Sequence, residues 1–276
     1  MELVDKDCKR CKKCERICPT NTLNIDSKNT HGDYCIECYH CLAVCPNKTE
    51  NDEHVLGSNF QYSIQPYDFE QLMQQRRSNR DFSSKPISNE LLSEFINNMR
   101  FSPTASNAQK LEFTVITNKA LLQLINDSTI STLSKTFKKS VSPITKPLIS
   151  TFLGRKAYTG LEKLKGKFLK KAAFDPNMIC YNAPALILIH SKKTPGGMPL
   201  QDANIWLGMA TLYAELLELA SCINGYIVNA VQRNKTLKKQ MQIPDDHQLH
   251  AALLIGRSKK KFNNRVDRKT PQVNFI

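Results

Sequence analysis

The sequence predicts an α+β protein in two parts: a small module held by cysteines, then a larger domain of helices and strands. Three observations carry this. Eight of the ten cysteines fall in two runs before residue 47. Beyond residue 66, segments with apolar residues at helical spacing are interspersed with short β-branched runs. The charge is also divided. Residues 1–50 hold eight basic and eight acidic side chains, so the whole net charge of +14 belongs to residues 51–276.

The first run places Cys8, Cys11, Cys14 and Cys18 before Pro19, and the second places Cys35, Cys38, Cys41 and Cys45 before Pro46, 27 residues later. Each reads C-x2-C-x2-C-x3-C-P, the spacing of bacterial two-cluster ferredoxins. Three close cysteines can wrap one side of a cubane cluster, while the fourth leaves the loop and reaches the other cluster. This assigns Cys8, Cys11, Cys14 and Cys45 to one [4Fe-4S] cluster and Cys35, Cys38, Cys41 and Cys18 to the second. Zinc is the weaker alternative, because structural zinc sites need only four ligands, commonly from two C-x2-C units. A disulfide framework belongs to small secreted domains.

The hydrophobic fraction of 41% suffices for a core. The longest apolar run, residues 183–189, is too short to span a bilayer. The start has neither a basic nor an apolar leader region, so a soluble, cytoplasmic protein without a membrane partner is expected. Residues 126–175 carry eleven Lys and Arg against three acids, and residues 257–276 seven against one. Such patches are commonly solvated faces; otherwise they fit an acidic redox partner or anionic ligands. They lack the interleaved aromatics of a nucleic-acid surface, and no nucleic-acid partner is expected.

Along the chain, residues 1–50 form the ferredoxin module, 51–66 a polar linker and 67–276 the second domain. In that domain the spacing predicts a helix capped by Asp68 and running into Arg76, and a second helix from Ser88. A strand is expected from Leu111 to Thr117, then a short helix over 119–126. Residues 127–180, basic and broken by Pro and Gly, read as short helices forming a mobile cap. Ala185 to His190 reads as a buried strand and Asp202 to Ala220 as a central helix. Gly225 to Val231 and Ala251 to Ile255 read as further strands. The tail from Lys259 has no core period.

Chemistry gathers a second time at Arg76-Arg77-Ser78-x-Arg80. Guanidinium forks and a hydroxyl suit phosphate oxygens. The alternative is that the arginines decorate a helix C-terminus, where cations are favoured. The loop after Pro103 adds Ser106, Asn107 and Gln109. Amides both donate and accept, which suits a flavin edge, although an Asx turn could use them locally.

Together these stretches resemble the nitroreductase family, in the order R-R-S-x-R, helix, P-x-x-S-N-x-Q. With the front module the chain resembles the ferredoxin–nitroreductase fusions of anaerobes. The resemblance implies an FMN-binding α+β domain with a central sheet flanked by helices, and a homodimer with FMN at its interface. It implies that Arg76, Arg77 and Ser78 bind the FMN phosphate and ribityl chain, and that Arg80 lies near the pyrimidine side. Asn107, with Ser106 and Gln109 beside it, would meet the ring edge, and Arg268 or Arg265 the phosphate. Backbone amides at 227–229 would face the flavin N5 side.

No side chain is expected to act as catalyst, because the chemistry would occur on FMN. The implied activity passes electrons from the two clusters through FMN to a nitroaromatic or nitroimidazole-type acceptor. The same cofactors could instead serve a quinone, an alkene or a halogenated compound. A zinc-loaded, non-enzymatic basic binding module is the remaining reading. The donor would be NAD(P)H or a redox protein; no G-x-G-x-x-G dinucleotide fingerprint follows a strand. Cys180 and Cys222 read as core thiols. The six histidines show no ligand cluster by spacing, and His40 reads as packing or facing solvent.

Overall fold

The computed structural model describes residues 8–26, 32–47, 54–57 and 63–276. Much of the expected linker, 51–53 and 58–62, lies outside the described residues, as do 48–50 of the expected ferredoxin module. The chain divides into two compact units. One comprises Met1–Pro66 with Thr104–Gln109, the other Tyr67–Pro103 with Lys110–Ile276.

Among the described residues of the first unit are the short α-helices α1 (Lys13–Ile17) and α2 (His40–Ala43). The residues before them, Lys12 and Tyr39, are left-handed with φ of 58° and 56°. Arg10 and Glu37 are left-handed as well, with φ of 46° and 51°. The 27-residue repeat is therefore written in the backbone as well as in the cysteines. No glycine occupies these positions, so the side-chain clash of the left-handed region is borne four times. The apolar core is small: Leu23 and Leu42 are buried, against Cys14, Cys18 and Cys41.

The second unit is built on a four-stranded sheet in the order β1-β2-β4-β3. The strands are β1 (Glu112–Ile116), β2 (Ala185–Lys192), β3 (Ala220–Ile223) and β4 (His247–Gly256), and all pairings are antiparallel. Helices α3 (Pro66–Gln75) and α4 (Asn89–Asn98) precede β1, and α5 (Lys119–Ser140), α6 (Thr145–Leu153) and α7 (Arg155–Phe174) follow it. Next come α8 (Pro199–Leu216), between β2 and β3, then α9 (Gly225–Arg233) and α10 (Lys235–Gln240). Both sheet faces are covered. Leu186, Leu188 and Leu254 join Ile125, Phe168, Ile227 and Leu237 on one side. Ile187, Ile189, Leu253 and Ile255 join Phe95, Trp206 and Ala210 on the other. Burial on both faces is why β2 reads as a continuous apolar run without alternation.

A bulge interrupts β2 against β4. Ile189 pairs with Ala251 and His190 with Leu249, so His250 is the extra residue.

Several sequence expectations need correction. Gly225 to Val231 is a helix, not a strand. Ile227, Ala230 and Val231 share its buried face, and Asn224 caps it, accepting from the amides of Tyr226 and Ile227. The short helix at 119–126 runs on to Ser140, capped by Asn118. The expected short helices of 127–180 are instead the end of α5, then α6 and the 20-residue α7. Gly160 and Gly166 lie on the exposed side of α7, where a glycine costs only about 1 kcal/mol. Pro147 sits in the first turn of α6, where its missing N–H is harmless. The break comes at Gly154, with φ of 85°. Helix α3 begins at Pro66, so Asp68 lies in its first turn instead of capping it, and it ends at Gln75, before Arg76. Helix α8 stops at Leu216, and Ala220 opens β3. Ser88 caps α4, accepting from the Leu91 amide.

Candidate functional site

In the first unit the cysteines gather into two cavities. Cys8, Cys11, Cys14 and Cys45 line one, together with Ile25 and Pro46. Cys18, Cys35, Cys38 and Cys41 line the other, with Pro19 and Leu23. Each cavity thus draws three cysteines from one run and the last cysteine of the other. The left-handed residues between them reverse the chain tightly enough to bring three thiols around one point. Burial raises the thiols of Cys14 and Cys41. Burial also acts to raise Cys18. Hydrogen bonds from the Thr20 hydroxyl and the amides of Thr20, Thr22 and Leu23 outweigh it and lower this thiol to about 6. A thiolate is the form that ligates iron. The Glu37 amide lies 3.4 Å from Cys35 Sγ. His40, exposed, has Nδ1 3.0 Å from Cys38 Sγ, a contact to an expected ligand atom that sequence spacing did not indicate.

The loop Thr104–Gln109 also belongs to this unit. Ser106, Asn107 and Gln109 are left-handed, with φ of 52°, 52° and 46°. The Gln109 amide donates to Thr104 Oγ1 at 3.1 Å, and Ser106 and Gln109 are exposed. Asn107 Nδ2 donates to the carbonyls of Ile36 and Glu37, inside the second cysteine run. This partner was not foreseen for an amide expected at a flavin edge.

In the second unit, Arg76–Arg80 leaves α3 and runs beside β3. Ser78 bridges Ser221 in parallel, and the Asn79 amide donates to the Ser221 carbonyl at 2.9 Å. The Arg77 guanidinium donates to the carbonyls of Gln74 at 2.6 Å and Arg76 at 2.9 Å, so it caps α3 as the helix-terminus reading expected. It also reaches the Val266 carbonyl at 3.4 Å, while Arg265 donates to the side chains of Gln71 and Gln74 at 3.3 Å. The C-terminal tail and the arginine segment, far apart in sequence, therefore meet. Arg268 is exposed, and its amide donates to Asp267 Oδ1.

Beside them opens a cleft of about 460 Å³ lined by Gln75, Arg77, Glu215, Arg257, Lys260 and Lys261. A neighbouring cleft of about 350 Å³ is lined by Arg80, Tyr181, Cys222, Asn224, Tyr226 and Asn229. Burial raises the Glu215 carboxyl, against the Arg77 amide and the charges of Arg76 and Arg77. Burial likewise raises Tyr181 and Cys222, with Arg80 opposing in both. Two buried polar atoms at this junction, Asn79 Nδ2 and Ser221 Oγ, have no hydrogen-bond partner. Cations and the Ser258 hydroxyl around an open cleft suit a phosphorylated cofactor. Arg257, Lys260, Lys261 and Glu215 were not singled out as site residues from the sequence. The cation density of the tail was the available signal for the first three; nothing in the sequence marked Glu215.

The profile of the nitroreductase family matches residues 73–257. The chain belongs to the nitroreductase family. A 4Fe-4S dicluster domain profile matches residues 1–55, in front of the nitroreductase domain. This nitroreductase is thus an FMN-dependent oxidoreductase of that family carrying an iron–sulfur dicluster domain. Among curated proteins none matches. Among solved structures it is similar to a nitroreductase with bound FMN from Desulfitobacterium hafniense DCB-2. That likeness has a TM-score of 0.55 at 20% identity, over 74% of this chain and 97% of that one. A BluB-like flavoprotein from Clostridium difficile 630 has a TM-score of 0.55 at 18% identity, over 74% and 94%. An iodotyrosine deiodinase bound to FMN and 3-iodo-L-tyrosine has a TM-score of 0.53 at 16% identity, over 75% and 98%. These likenesses establish a shared fold. No helix among the described residues is long and apolar enough to cross a membrane.

Proposed function

We propose that this nitroreductase is fed by its own ferredoxin module and reduces a nitroaromatic or nitroimidazole-type acceptor. Residues 1–50 serve as the input module, 51–66 as the tether and 67–276 as the flavin domain. In the first unit, Cys8, Cys11, Cys14 and Cys45 hold one cluster, and Cys18, Cys35, Cys38 and Cys41 hold the other. FMN, when bound, supplies the conversion between single-electron delivery and two-electron reduction of an organic acceptor.

The observation that carries the flavin assignment is the meeting of Arg77 with the basic tail around one cleft, with Arg80 lining the next. Arg76, Arg77 and Ser78 hold the phosphate end, with Lys260 and Lys261 adding charge and Arg265 bracing α3 through Gln71 and Gln74. Arg80 places positive charge beside Tyr181 and Cys222, where it favours an anionic ring. Arg268 is a further phosphate candidate. Asn107, with Ser106 and Gln109, supplies the amides of the ring-edge loop. Helix α8 leaves Ile205, Met209 and Leu216 exposed, an apolar stripe that supports a homodimer.

The test is anaerobic purification, with iron and flavin counted per chain, followed by reduction and turnover with a nitroimidazole, a quinone and a halophenol. About eight irons, releasable FMN and preferred nitro reduction are expected. Full cofactor content with no nitro turnover overturns the acceptor assignment. Preferred dehalogenation would favour the activity for which the deiodinase likeness offers a precedent.

A further inference from the structure

We propose that Glu112, His190 and His247 form a binding site for one divalent transition-metal ion, with Zn²⁺ the best fit, on the sheet of the second unit. It shares no residue with the cysteine cavities or the arginine cleft. The three residues come from three strands and converge through strand register. Glu112 on β1 sits opposite His190 on β2, and His247 opens β4 opposite Lys192. Alternation along β2 puts 190 and 192 on one face, so all three side chains rise from the same side of the sheet. One ligand atom from each lies within 4.8 Å of the others.

Two observations point to an ion. Nδ1 of His190 and Nδ1 of His247 face each other at 2.9 Å, both rings being buried at 3% and 7% exposure. Each ring also has its other nitrogen beside an oxygen. His190 Nε2 is 3.0 Å from Thr114 Oγ1, and His247 Nε2 is 3.7 Å from Glu112 Oε1 and 4.0 Å from Asp246 Oδ1. His190 has the arrangement of a metal-bound histidine: its far nitrogen is hydrogen-bonded to the Thr114 hydroxyl, which turns the near lone pair towards the ion, while the contacts of His247 Nε2 to Glu112 and Asp246 are charge contacts. In the metal-free protein one Nδ1 carries a proton and donates to the other; an ion that displaces this proton is held by both lone pairs. A tetrahedral zinc holds two nitrogens about 3.3 Å apart at Zn–N of about 2.0–2.1 Å. Opening the pair by a few tenths of an ångström admits it.

The donor set is two imidazoles and a carboxylate, which selects borderline first-row cations over calcium or magnesium. Glu112 is exposed and gives the ion a way in from solvent. Lys238 works against the charge, yet its ammonium is occupied by the carbonyls of His247 at 2.7 Å and Asp245 at 3.0 Å. A metal here would pin β1, the bulged end of β2 and the start of β4 together.

The test uses the cluster- and flavin-loaded protein, dialysed anaerobically against Zn²⁺ and then against a weak chelator. Expected is one retained zinc per chain with iron and flavin unchanged, and a zinc absorption-edge spectrum showing only N/O neighbours near ~2.0 Å. Glu112→Gln, a change at an exposed position, should weaken retention at least tenfold, and His247→Gln should abolish it. The proposal is overturned by any of three results. These are no retained zinc with iron intact, a sulfur neighbour near ~2.3 Å, which marks cysteine binding, or equal zinc in wild type and both variants.

Discussion

Asn107 Nδ2 donates to the Glu37 carbonyl at 2.9 Å, and both residues are left-handed, with φ of 52° and 51°. A second bond runs from the same nitrogen to the Ile36 carbonyl at 3.2 Å. The amide therefore clamps the turn between Cys35 and Cys38. Asn107→Ala removes two hydrogen bonds worth about 1 kcal/mol each. The expected outcome is faster iron loss from one of two clusters, and a changed reduced-state resonance for that cluster. Normal iron stability with flavin lost would return Asn107 to the ring edge alone.

Crossed ligation makes a pairing prediction. Cys45→Ala should lower iron from about eight to about four per chain. Adding Cys11→Ala should cost no further iron, since both serve one cluster. Adding Cys38→Ala should remove the rest. The opposite pattern would assign each run its own cluster.

Arg76 is half-buried and its charge reaches Glu215 and Cys222. Arg76→Ala should weaken FMN retention tenfold or more while iron stays normal, read by flavin fluorescence after gel filtration. Unchanged retention would leave the phosphate to Arg77 and the tail.

These sites differ in how visible they are in the sequence. The cysteine runs are legible because cluster ligation fixes spacing along the chain, and Arg76–Arg80 because charge concentrates within five residues. His190 and His247 are 57 residues apart and are joined only by strand register, which no local pattern encodes. Segment 225–231 reads as a strand because a short apolar run fits strand and helix alike; the Asn224 cap decides for the helix. The length of α7 was hidden by Gly160 and Gly166, which are harmless once their face is known to be exposed.

His250, the bulged residue, makes stability depend on pH. Burial, against the pull of Asp202, holds its imidazole below the ordinary value. Below about pH 6.5 the unfolded chain takes up a proton that the folded chain refuses, so stability falls as pH drops and is flat above. His250→Gln should flatten part of this slope between pH 7.5 and 5.5. His190, held low first by burial and then by His247, keeps the remainder. Urea midpoints followed by the lone tryptophan, Trp206, provide the measurement. Parallel slopes for wild type and variant would exclude His250.

Gly256 closes β4 where backbone meets side chain. A Cβ there would lie 2.5 Å from Pro184 Cδ and 2.9 Å from Phe82 Cδ1. Phe82 is fully buried and Pro184 is rigid, so neither yields easily. Gly256→Ala should cost about 1–3 kcal/mol of stability, seen as a lower urea midpoint with unchanged slope.

The exchange of last cysteines between the two cavities has a consequence for synthesis. In the proposed ligation the site that begins with Cys8 is completed only by Cys45, whereas the site of Cys18, Cys35, Cys38 and Cys41 is complete four residues sooner. At about 5–20 residues per second, neither site closes until almost the whole module has emerged from the ribosome. Iron delivered early meets only three-cysteine half-sites. The order in which clusters are loaded is then the reverse of the order in which their first ligands are made.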